Sequence, residues 1–381
     1  MSGAKWGIIV NVAIDIPFFK KGSLPKFSLD FLSGRPSRVA GIDIGVSSAK
    51  VVQLRYEKEK AVLETYGELL VGGYFRGEGN KGGGFMRYSD NEAAELLRDL
   101  FKESNISAKD AVFSIPSTVG FTTVISFPLL PREEIEQAIP FEARKYVPIP
   151  IAETVIDWDI IEISEEKKST EVLLIAVSKE VTEKIKRMSA LAGINVRAME
   201  IETFCMIRSL LGQDPLPTAV INLGHQSTNL MVVDRGRLRL SHSFDHGSNS
   251  LTRALEQGLG VSSERAEAIK REVGLSEKVE EREITSVILP LLDVMFTEFE
   301  RIIIFYNRKA ERKIQRVVIT GGGSNLKGVV DLASTKFGIE VSRGNPFARV
   351  VTPSFLQPTL REIGSSFAVA VGAALREITI R

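Results

Sequence analysis

The sequence predicts an α/β protein of at least two domains in which one strand-turn-strand design occurs twice. A β-rich run, the polar turn Gly45–Ser48 and an alternating apolar run predict a hairpin over residues 41–54. A hairpin of the same design is predicted over residues 218–233, and a third glycine cluster, Gly321–Gly323, follows a short apolar strand. The length of 381 residues is more than one hydrophobic core usually serves.

The first hairpin has the residues of a phosphate-binding turn. Gly45 lets the backbone approach a ligand closely, and the N–H groups beside Ser47 and Ser48 can form an anion-binding nest. Asp43 precedes the turn, where a carboxylate can hold a hydrated Mg²⁺, and Lys50 can pair with phosphate as a point charge. Taken alone, the same pattern also fits an ordinary turn.

Two hairpins followed by a strand-Thr-Gly-Gly-Gly turn form an ordered pattern, and in this pattern the chain resembles the superfamily of actin, sugar kinases and Hsp70. The resemblance implies an actin-like/Hsp70-like ATPase fold with two RNase H-like halves and a nucleotide site. The ligand-binding positions that it implies beyond the first hairpin are Asn222, Gly224, Ser227 and Thr228 in the second hairpin, and Gly321, Gly322, Gly323 and Asn325 after the later strand. Glycine suits the last turn because a side chain would collide with a base or phosphate on the backbone.

Composition excludes several classes of protein. Hydrophobic residues make up 44% and charged residues 25%, which are ordinary globular values, so the chain is long and apolar enough for large cores. The net charge of +1 gives no global basic field for nucleic acid, and we expect no nucleic-acid partner. The lone Cys205 lies in an apolar run and is expected to be a buried core thiol.

The N-terminal residues 1–37 are predicted to be an extension before the first hairpin. The apolar stretch from Trp6 to Phe19 contains Asp15 and Pro17 and is shorter than the roughly 20 residues of a spanning helix. A flexible or edge-packed extension is one interpretation. The other is a short membrane-surface or partner-binding segment with Lys20, Lys21 and Lys26 as its basic flank.

Residues 123–202 predict a small α+β domain inserted after the first subdomain. Pro131 is expected in the first helical turn, Ile135, Ile139 and Ala143 form one apolar stripe, and Pro148 is expected to stop the helix. An acidic strand pair, a helix over residues 179–192 and a last strand follow. This segment resembles the type IV pilus PilM family, which shares the insertion with the cell-division protein FtsA. The resemblance is carried by Phe127-Pro128, Pro131-Arg132-Glu133-Glu134, Phe141 to Pro148 and Ile156-Asp157-Trp158.

The resemblance implies a division into subdomains. Subdomain 1A comprises residues 38–122, completed by 203–215 and 363–381, and the insertion 123–202 is subdomain 1C. Subdomain 2A comprises residues 216–246 and 316–362, and subdomain 2B comprises 247–315. The small residues over 367–376 predict a helix that crosses another helix closely.

The resemblance also implies ATP and Mg²⁺ as ligands, with the metal held by Asp43 through water. Glu202, at the start of a connecting helix, aligns with a glutamate that faces the terminal phosphate in relatives, although a helix-start carboxylate explains it equally well. Glu267 and Lys270 match a Glu-x-x-Lys helix that bonds ribose and adenine, although an ordinary surface ion pair has the same spacing. Relatives generally carry aspartate where this chain has Asn222, so tight ATP binding with slow or negligible turnover is expected.

The function implied is that of a cytoplasmic ATP-binding scaffold, peripheral at the inner membrane through its partners, in a pilus assembly platform. Such proteins bind the N-terminal tail of a PilN-like membrane protein in a groove beside the insertion, and they couple to motor proteins. Ile135, Ile139 and Arg144 are candidate groove residues. A competence or secretion system, an FtsA-like filament-forming membrane tether with self-association, and a metabolite kinase remain alternatives.

Overall fold

The computed structural model describes residues 37–74, 84–166 and 168–378. The predictions made for residues 1–36, and those for Gly82 and Gly83, lie outside the described residues. The described chain forms two compact units. The first contains residues 37–213, with the gaps just given, together with 345–360 and 367–378; the second contains residues 214–344 and 361–366.

The described residues form the following strands and helices in chain order. The strands are β1 Arg38–Ile44, β2 Ser48–Glu57, β3 Lys60–Leu70, β4 Asp110–Ile115, β5 Gly120–Pro128, β6 Thr154–Ser164, β7 Ser169–Ser178, β8 Asn195–Ile201, β9 Thr218–Leu223, β10 Thr228–Asp234, β11 Arg237–Phe244, β12 Arg316–Thr320 and β13 Glu340–Arg343. The helices are α1 Asp90–Glu103, α2 Arg132–Ala143, α3 Lys179–Ala192, α4 Glu202–Leu210, α5 Ser248–Leu259, α6 Ser263–Val273, α7 Arg282–Lys309, α8 Val329–Phe337, α9 Gln357–Ile363 and α10 Ala368–Ile378.

The main sheets of the two units have the same topology. In the first unit the strand order is β3-β2-β1-β4-β8, and in the second it is β11-β10-β9-β12-β13. Each begins with three antiparallel strands and continues with two parallel ones. Both predicted hairpins are confirmed, as β1–β2 and β9–β10. In each unit the first hairpin strand pairs in parallel with a later strand, so the turns after these strands meet at one edge of the sheet.

Helix α10 packs against the first sheet and crosses α4, where glycines permit backbone contact. A Cβ on Gly41 of β1 would lie 2.0 Å from the Ala370 carbonyl oxygen, and a Cβ on Gly372 would lie 1.8 Å from the Cys205 carbonyl oxygen. The close helix crossing predicted from the small residues over 367–376 is therefore confirmed. Cys205 is fully buried, as expected, and burial raises the pKa of its thiol.

A buried ion cluster lies at the same crossing. The Glu200 carboxylate accepts hydrogen bonds from Arg208 Nη1 (2.5 Å) and Nη2 (2.6 Å), and from Arg376 Nη1 (2.9 Å). Burial alone would raise the pKa of Glu200, but the two guanidinium groups outweigh it and bring the pKa to about 2. Arg208 Nη1 also donates to the Gly372 carbonyl oxygen (2.9 Å), so one side chain joins the end of β8 to α4 and α10.

The predicted insertion contains an antiparallel sheet of order β5-β7-β6 covered by α2. Strand β8, which was predicted as the last strand of the insertion, belongs instead to the main sheet, where it pairs with β4. The predicted apolar stripe is confirmed, because Ile135, Ile139 and Ala143 are buried against the β5-β7-β6 sheet. Helix α3 contacts α1 of the neighbouring subdomain, with Arg187 Nε donating to Asp90 Oδ2 (2.6 Å) and Arg98 Nη1 donating to the Leu191 carbonyl (3.0 Å).

Several details differ from the sequence-based expectations. Ser89 caps α1 and forms a capping box with Glu92, which the sequence analysis did not identify. Pro131 is the N-cap of α2 and not a residue of its first turn, and α2 ends at Ala143, before Pro148 is reached. Strand β5 was not predicted, since its alternation is weak before Val124.

The crossing of α4 and α10 gives a first prediction. Gly372→Ala places a methyl group against the Cys205 carbonyl oxygen. Because this oxygen belongs to the backbone, it can move away only if the two helices separate, so the substitution should lower the free energy of unfolding by about 3 kcal/mol. Gly258→Ala is the control, because it is also a helical glycine but meets only a Val287 methyl at 3.3 Å. It should stabilise by up to ~1 kcal/mol. Chemical denaturation measures both, and equal effects would contradict the prediction.

Candidate functional site

The first unit places Asp43, which is half-buried, beside the β1–β2 turn. Gly45 N donates to the Ser48 carbonyl (3.0 Å), which closes the turn. Ser114 Oγ, on neighbouring β4, donates to Asp43 Oδ1 (2.9 Å). Burial raises the pKa of Asp43, while Lys50 and the Ser114 hydrogen bond oppose that rise. The carboxylate is thus held in one orientation at the edge where β1 ends.

Lys50 lies directly opposite Asp43 in the antiparallel ladder. Its Nζ donates to Ser48 Oγ (2.6 Å) and lies 3.0 Å from Glu68 Oε1. Ser48 is buried and Ser47 is exposed at the tip of the turn. Lys50 therefore positions a positive charge beside the turn while it is already paired with a carboxylate of β3.

Glu202 begins α4 at the same edge of the first sheet. Its Oε1 accepts a hydrogen bond from the backbone N–H of Ser117 (3.0 Å), in the loop that follows β4. Because β1, β4 and β8 are consecutive parallel neighbours, the turn after β1, the loop after β4 and the start of α4 share this edge. The side chain therefore ties the loop after β4 to the start of α4.

In the second unit, three backbone segments converge around the β9–β10 turn. Gly224 N donates to the Ser227 carbonyl (3.1 Å), and the first turn of α5 packs on the same loop, with Ser248 N donating to the Gly224 carbonyl (2.8 Å). A Cβ on Gly247 would lie 2.5 Å from the His225 carbonyl oxygen, and one on Gly323 would lie 2.8 Å from Leu223 Cβ. Only glycine fits these two positions.

Asn222 and the glycine turn after β12 are in direct contact. Gly321 has φ +82°, and a Cβ there would lie 2.3 Å from Asn222 Oδ1. Gly321 N and Thr320 Oγ1 both donate to the Ser365 carbonyl (3.2 and 2.8 Å). Ser365 Oγ donates to Asn325 Oδ1 (3.1 Å). Gly322 has open space where its side chain would be, so a ligand can approach the backbone there.

Thr228 has its hydroxyl engaged within the protein. It is buried and donates to the His246 carbonyl (2.7 Å). Its side chain therefore fixes the loop between β11 and α5.

Glu267 and Lys270 of α6 form part of a buried network and not an ordinary surface pair. Lys270 Nζ donates to Glu267 Oε2 (2.6 Å), Thr252 Oγ1 (2.8 Å) and the Ser248 carbonyl (3.2 Å). Lys270 is 5% exposed. The network joins α6 to the first turn of α5, and through Ser248 to the β9–β10 turn.

The pKa values of Glu267 and Lys270 are both lowered, but by different causes. Burial alone would raise the pKa of Glu267, but hydrogen bonds from Lys270, Thr252 and Arg271 lower it to about 2. Burial lowers the pKa of Lys270 despite the Glu267 carboxylate. Part of the stability gained at Glu267 is therefore offset by the desolvation of Lys270.

The sequence missed three residues that hold the site together. Ser248 was detectable, because it lies in the run Gly247–Ser250, which is typical of a helix start after a turn. Ser114 and Ser365 carry no local signal, since the partner of each lies 40 or more positions away in the chain.

The described side chains could bind Mg²⁺ only together with water and phosphate oxygens. Within the described ranges, no group of three or more Asp, Glu, His or Cys side chains could hold a metal ion by itself. Mg²⁺ commonly binds through one or two carboxylates, water and substrate phosphates, and Asp43 can supply such a carboxylate. Asn222 can supply an amide oxygen without charge.

Two sheets of this topology, each with a hairpin turn and a strand-end loop at one edge, define an actin-like ATPase fold. The chain belongs to the family of the type IV pilus assembly protein PilM, whose family model matches residues 41–378. It is therefore a PilM-like type IV pilus assembly protein.

Known structures and relatives agree with this assignment. The structure of the PilM-PilN type IV pilus biogenesis complex is 22% identical, with a TM-score of 0.77, and the match covers 91% of this chain and 99% of that one. The ethanolamine utilization protein EutJ from Carboxydothermus hydrogenoformans is 16% identical, with a TM-score of 0.51 and 91% of each chain covered.

The curated relatives are cell division proteins FtsA. The protein from Bacillus subtilis is 23% identical over 83% of this chain and 78% of its own length. The protein from Enterococcus hirae is 26% identical over 44% of this chain and 43% of its own length. The chain thus spans less than half of the Enterococcus hirae protein.

The Glu267 network predicts a pH-dependent loss of stability. A carboxyl group whose pKa falls on folding adds stability above its unfolded pKa near 4.5, and that stability is lost as pH falls towards 2. Glu267→Gln should lower the free energy of unfolding by about 2 kcal/mol at pH 7, because Lys270 stays buried without its carboxylate. The difference in the free energy of unfolding between this variant and the wild type should narrow below pH 4.5.

Glu183→Gln is the matched control, because Glu183 forms an i,i+3 pair with Lys186 in which both side chains are exposed. Its effect on the free energy of unfolding should be negligible at every pH, because solvent screens an exposed pair. Urea unfolding at a series of pH values makes the comparison. Similar losses for both variants would show that Glu267 is a surface carboxylate.

Proposed function

We propose that this protein is a cytoplasmic ATP-binding scaffold of a type IV pilus assembly platform. In this proposal it is held at the inner membrane through partners and binds the N-terminal tail of a PilN-like membrane protein. The match of the PilM family model to residues 41–378 carries the proposal, and the similarity to a PilM-PilN complex supports the choice of partner. No helix in the described ranges has the length and apolarity needed to cross a membrane.

Each unit supplies its own proposed nucleotide-binding residues. The turns after β1 and β9 offer backbone N–H groups to phosphate, and the Gly321–Gly323 turn gives a base or ribose access to the backbone. Glu267 is partly exposed and could bond the ribose, whereas Lys270 already gives its three donors to protein acceptors and would act by holding Glu267 in place. Bound ATP would stabilise the folded protein: at millimolar concentration and a micromolar dissociation constant, the gain is about 4 kcal/mol.

Weak or absent hydrolysis is part of the proposal. Phosphoryl transfer depends on positioned charge, and Asn222 contributes a neutral amide at the second turn. Asp43, which Ser114 and Lys50 hold in place, is the only proposed carboxylate contact to the hydrated metal. Glu202 is the proposed carboxylate near the terminal phosphate, where its hydrogen bond to Ser117 would orient it.

Restoring the charge at position 222 should increase turnover. Asn222→Asp is expected to raise ATP hydrolysis by up to ~10²-fold, the scale on which one positioned electrostatic group acts. Asp43→Asn in the same background should remove the gain and weaken Mg-ATP binding. Phosphate release and nucleotide titration measure the two effects. Fast hydrolysis by the unaltered protein would refute the scaffold interpretation in favour of an active ATPase.

The proposed tail-binding surface needs revision at residue level. Ile135 and Ile139 are buried under the inserted sheet and are not available to a partner, so their assignment to a groove was wrong. Phe141 is 66% exposed on the same helix, and the Arg144 guanidinium lies 5.6 Å from its ring centroid. We propose that Phe141 and Arg144 contact the tail, because they offer an aromatic face and a positive charge together.

A labelled peptide that copies the cytoplasmic N-terminus of the PilN-like protein tests this surface. The peptide should bind the full chain saturably, and Phe141→Ser should weaken binding about ten-fold, as loss of an aromatic anchor usually does. Val294→Ser is the control, because Val294 is equally exposed but lies on α7 of the second unit. Absence of binding to the unaltered protein would exclude this tail as the partner, whereas equal loss in both variants would exclude the proposed surface.

A further inference from the structure

One end of the second unit concentrates positive charge. Eight cationic side chains occur in two short segments, which together we name the basic end: Arg235, Arg237, Arg239, Arg308, Lys309, Arg312, Lys313 and Arg316. The same segments contain only Asp234 and Glu311 as carboxylates. The whole chain carries a net charge of +1, so this concentration is local and is balanced elsewhere.

A buried aspartate holds the two segments together. Asp234 accepts a hydrogen bond from Arg239 Nη2 (3.3 Å) and another from Arg312 Nη1. Arg312 Nη2 also donates to the Pro215 carbonyl (3.0 Å). The turn between β10 and β11 and the chain after α7 therefore form one fixed surface. Its cations are in place before any partner arrives.

Two carboxylates pair with inner arginines of this surface: Asp234 with Arg239 and Arg312, and Asp214 with Arg316. Asp234 is shared between two guanidinium groups, and burial, followed by the positive charge of Arg239, lowers the pKa of Arg237. Outside this inner layer, Arg235, Arg308, Lys309 and Lys313 are exposed on long side chains. The outer cations can therefore reach anions that lie several ångströms from the protein surface.

Apolar side chains are exposed beside these cations. Ile304 is 43% and Phe305 is 38% exposed in the last turns of α7, immediately before Arg308 and Lys309. Lys309 Nζ lies 4.3 Å from the Phe305 ring centroid. An aromatic ring flanked by cations is typical of a segment at a membrane-water interface, where the ring meets the acyl boundary and the cations meet phosphates.

We propose that the basic end binds the surface of an anionic phospholipid membrane. The exposed cations lie at the end of α7 and on the β10–β11 turn, where they can pair with several headgroups, and Phe305 and Ile304 supply the apolar contact. This surface belongs to the second unit alone and uses neither the hairpin turns nor the inserted domain. The inference therefore does not depend on nucleotide or on a PilN-like tail.

Sedimentation with vesicles tests the proposal. The full chain is mixed with vesicles of phosphatidylcholine and phosphatidylglycerol in equal amounts, and with vesicles of phosphatidylcholine alone. Binding should require phosphatidylglycerol and should fall steeply between about 0.01 M salt, where the Debye length is about 30 Å, and about 1 M salt, where it is about 3 Å. The triple variant R308E/K309E/K313E should bind at least about ten-fold more weakly, since each basic residue near the surface contributes to attraction.

The matched control is K60E/K102E/K109E, which makes the same change in net charge at exposed positions of the first unit. It should bind within about two-fold of the unaltered protein. Thermal unfolding shows whether each variant is folded, and R308E/K309E/K313E retains Arg239 and Arg312, which hold Asp234.

Three outcomes would overturn the proposal. They are equal binding to both kinds of vesicle, equal loss in both triple variants, and no vesicle binding combined with binding of polyglutamate at the basic end. The last result would assign this surface to an acidic protein segment.

Discussion

The contact between α4 and α10 at Gly372 is the constraint on which the first unit depends. Backbone meets backbone there, and the Arg208 guanidinium links the Gly372 carbonyl to the buried Glu200 carboxylate. A buried carboxylate would cost several kcal/mol if it were unpaired, so α4, α10 and the end of β8 must assemble together. That assembly fixes where α4 begins, and with it the position of Glu202 at the edge of the sheet.

The two units repeat one backbone design but differ in the chemistry of their turns. In each, a glycine after the first strand donates to the carbonyl three residues on, and a parallel strand brings a second loop to the same edge. The first turn has Asp43, held by Ser114 and facing Lys50. The second has the neutral Asn222 in the corresponding position, and the Glu267–Lys270 network contacts the first turn of α5 beside it. A carboxylate therefore stands at the strand end before the first turn and an amide before the second.

The sequence was sufficient to predict the elements of structure that are determined by residues close together in the chain. Both hairpins, helix α3 and the apolar stripe of α2 follow from alternation, capping and helical spacing, which are short-range properties. It could not predict that Ser114 would hold Asp43 or that Ser365 would meet Asn325, because those contacts join distant segments. The same limit explains the error at Ile135 and Ile139: apolar spacing identifies a buried face and a binding face equally well, and only the packing under β5–β7 distinguishes them.

The Lys270 network fixes helix α6 against helix α5 and the β9–β10 turn. An exposed Glu-x-x-Lys pair would be free to reorient, but Lys270 is buried and donates to the Ser248 carbonyl, which belongs to the turn packed on Gly224. The desolvation of Lys270 is tolerated because Glu267, Thr252 and Ser248 supply all three of its acceptors. Removing any acceptor would leave a buried ammonium group with an unmet donor. The position of α6 and the shape of the β9–β10 turn are therefore coupled through a single side chain.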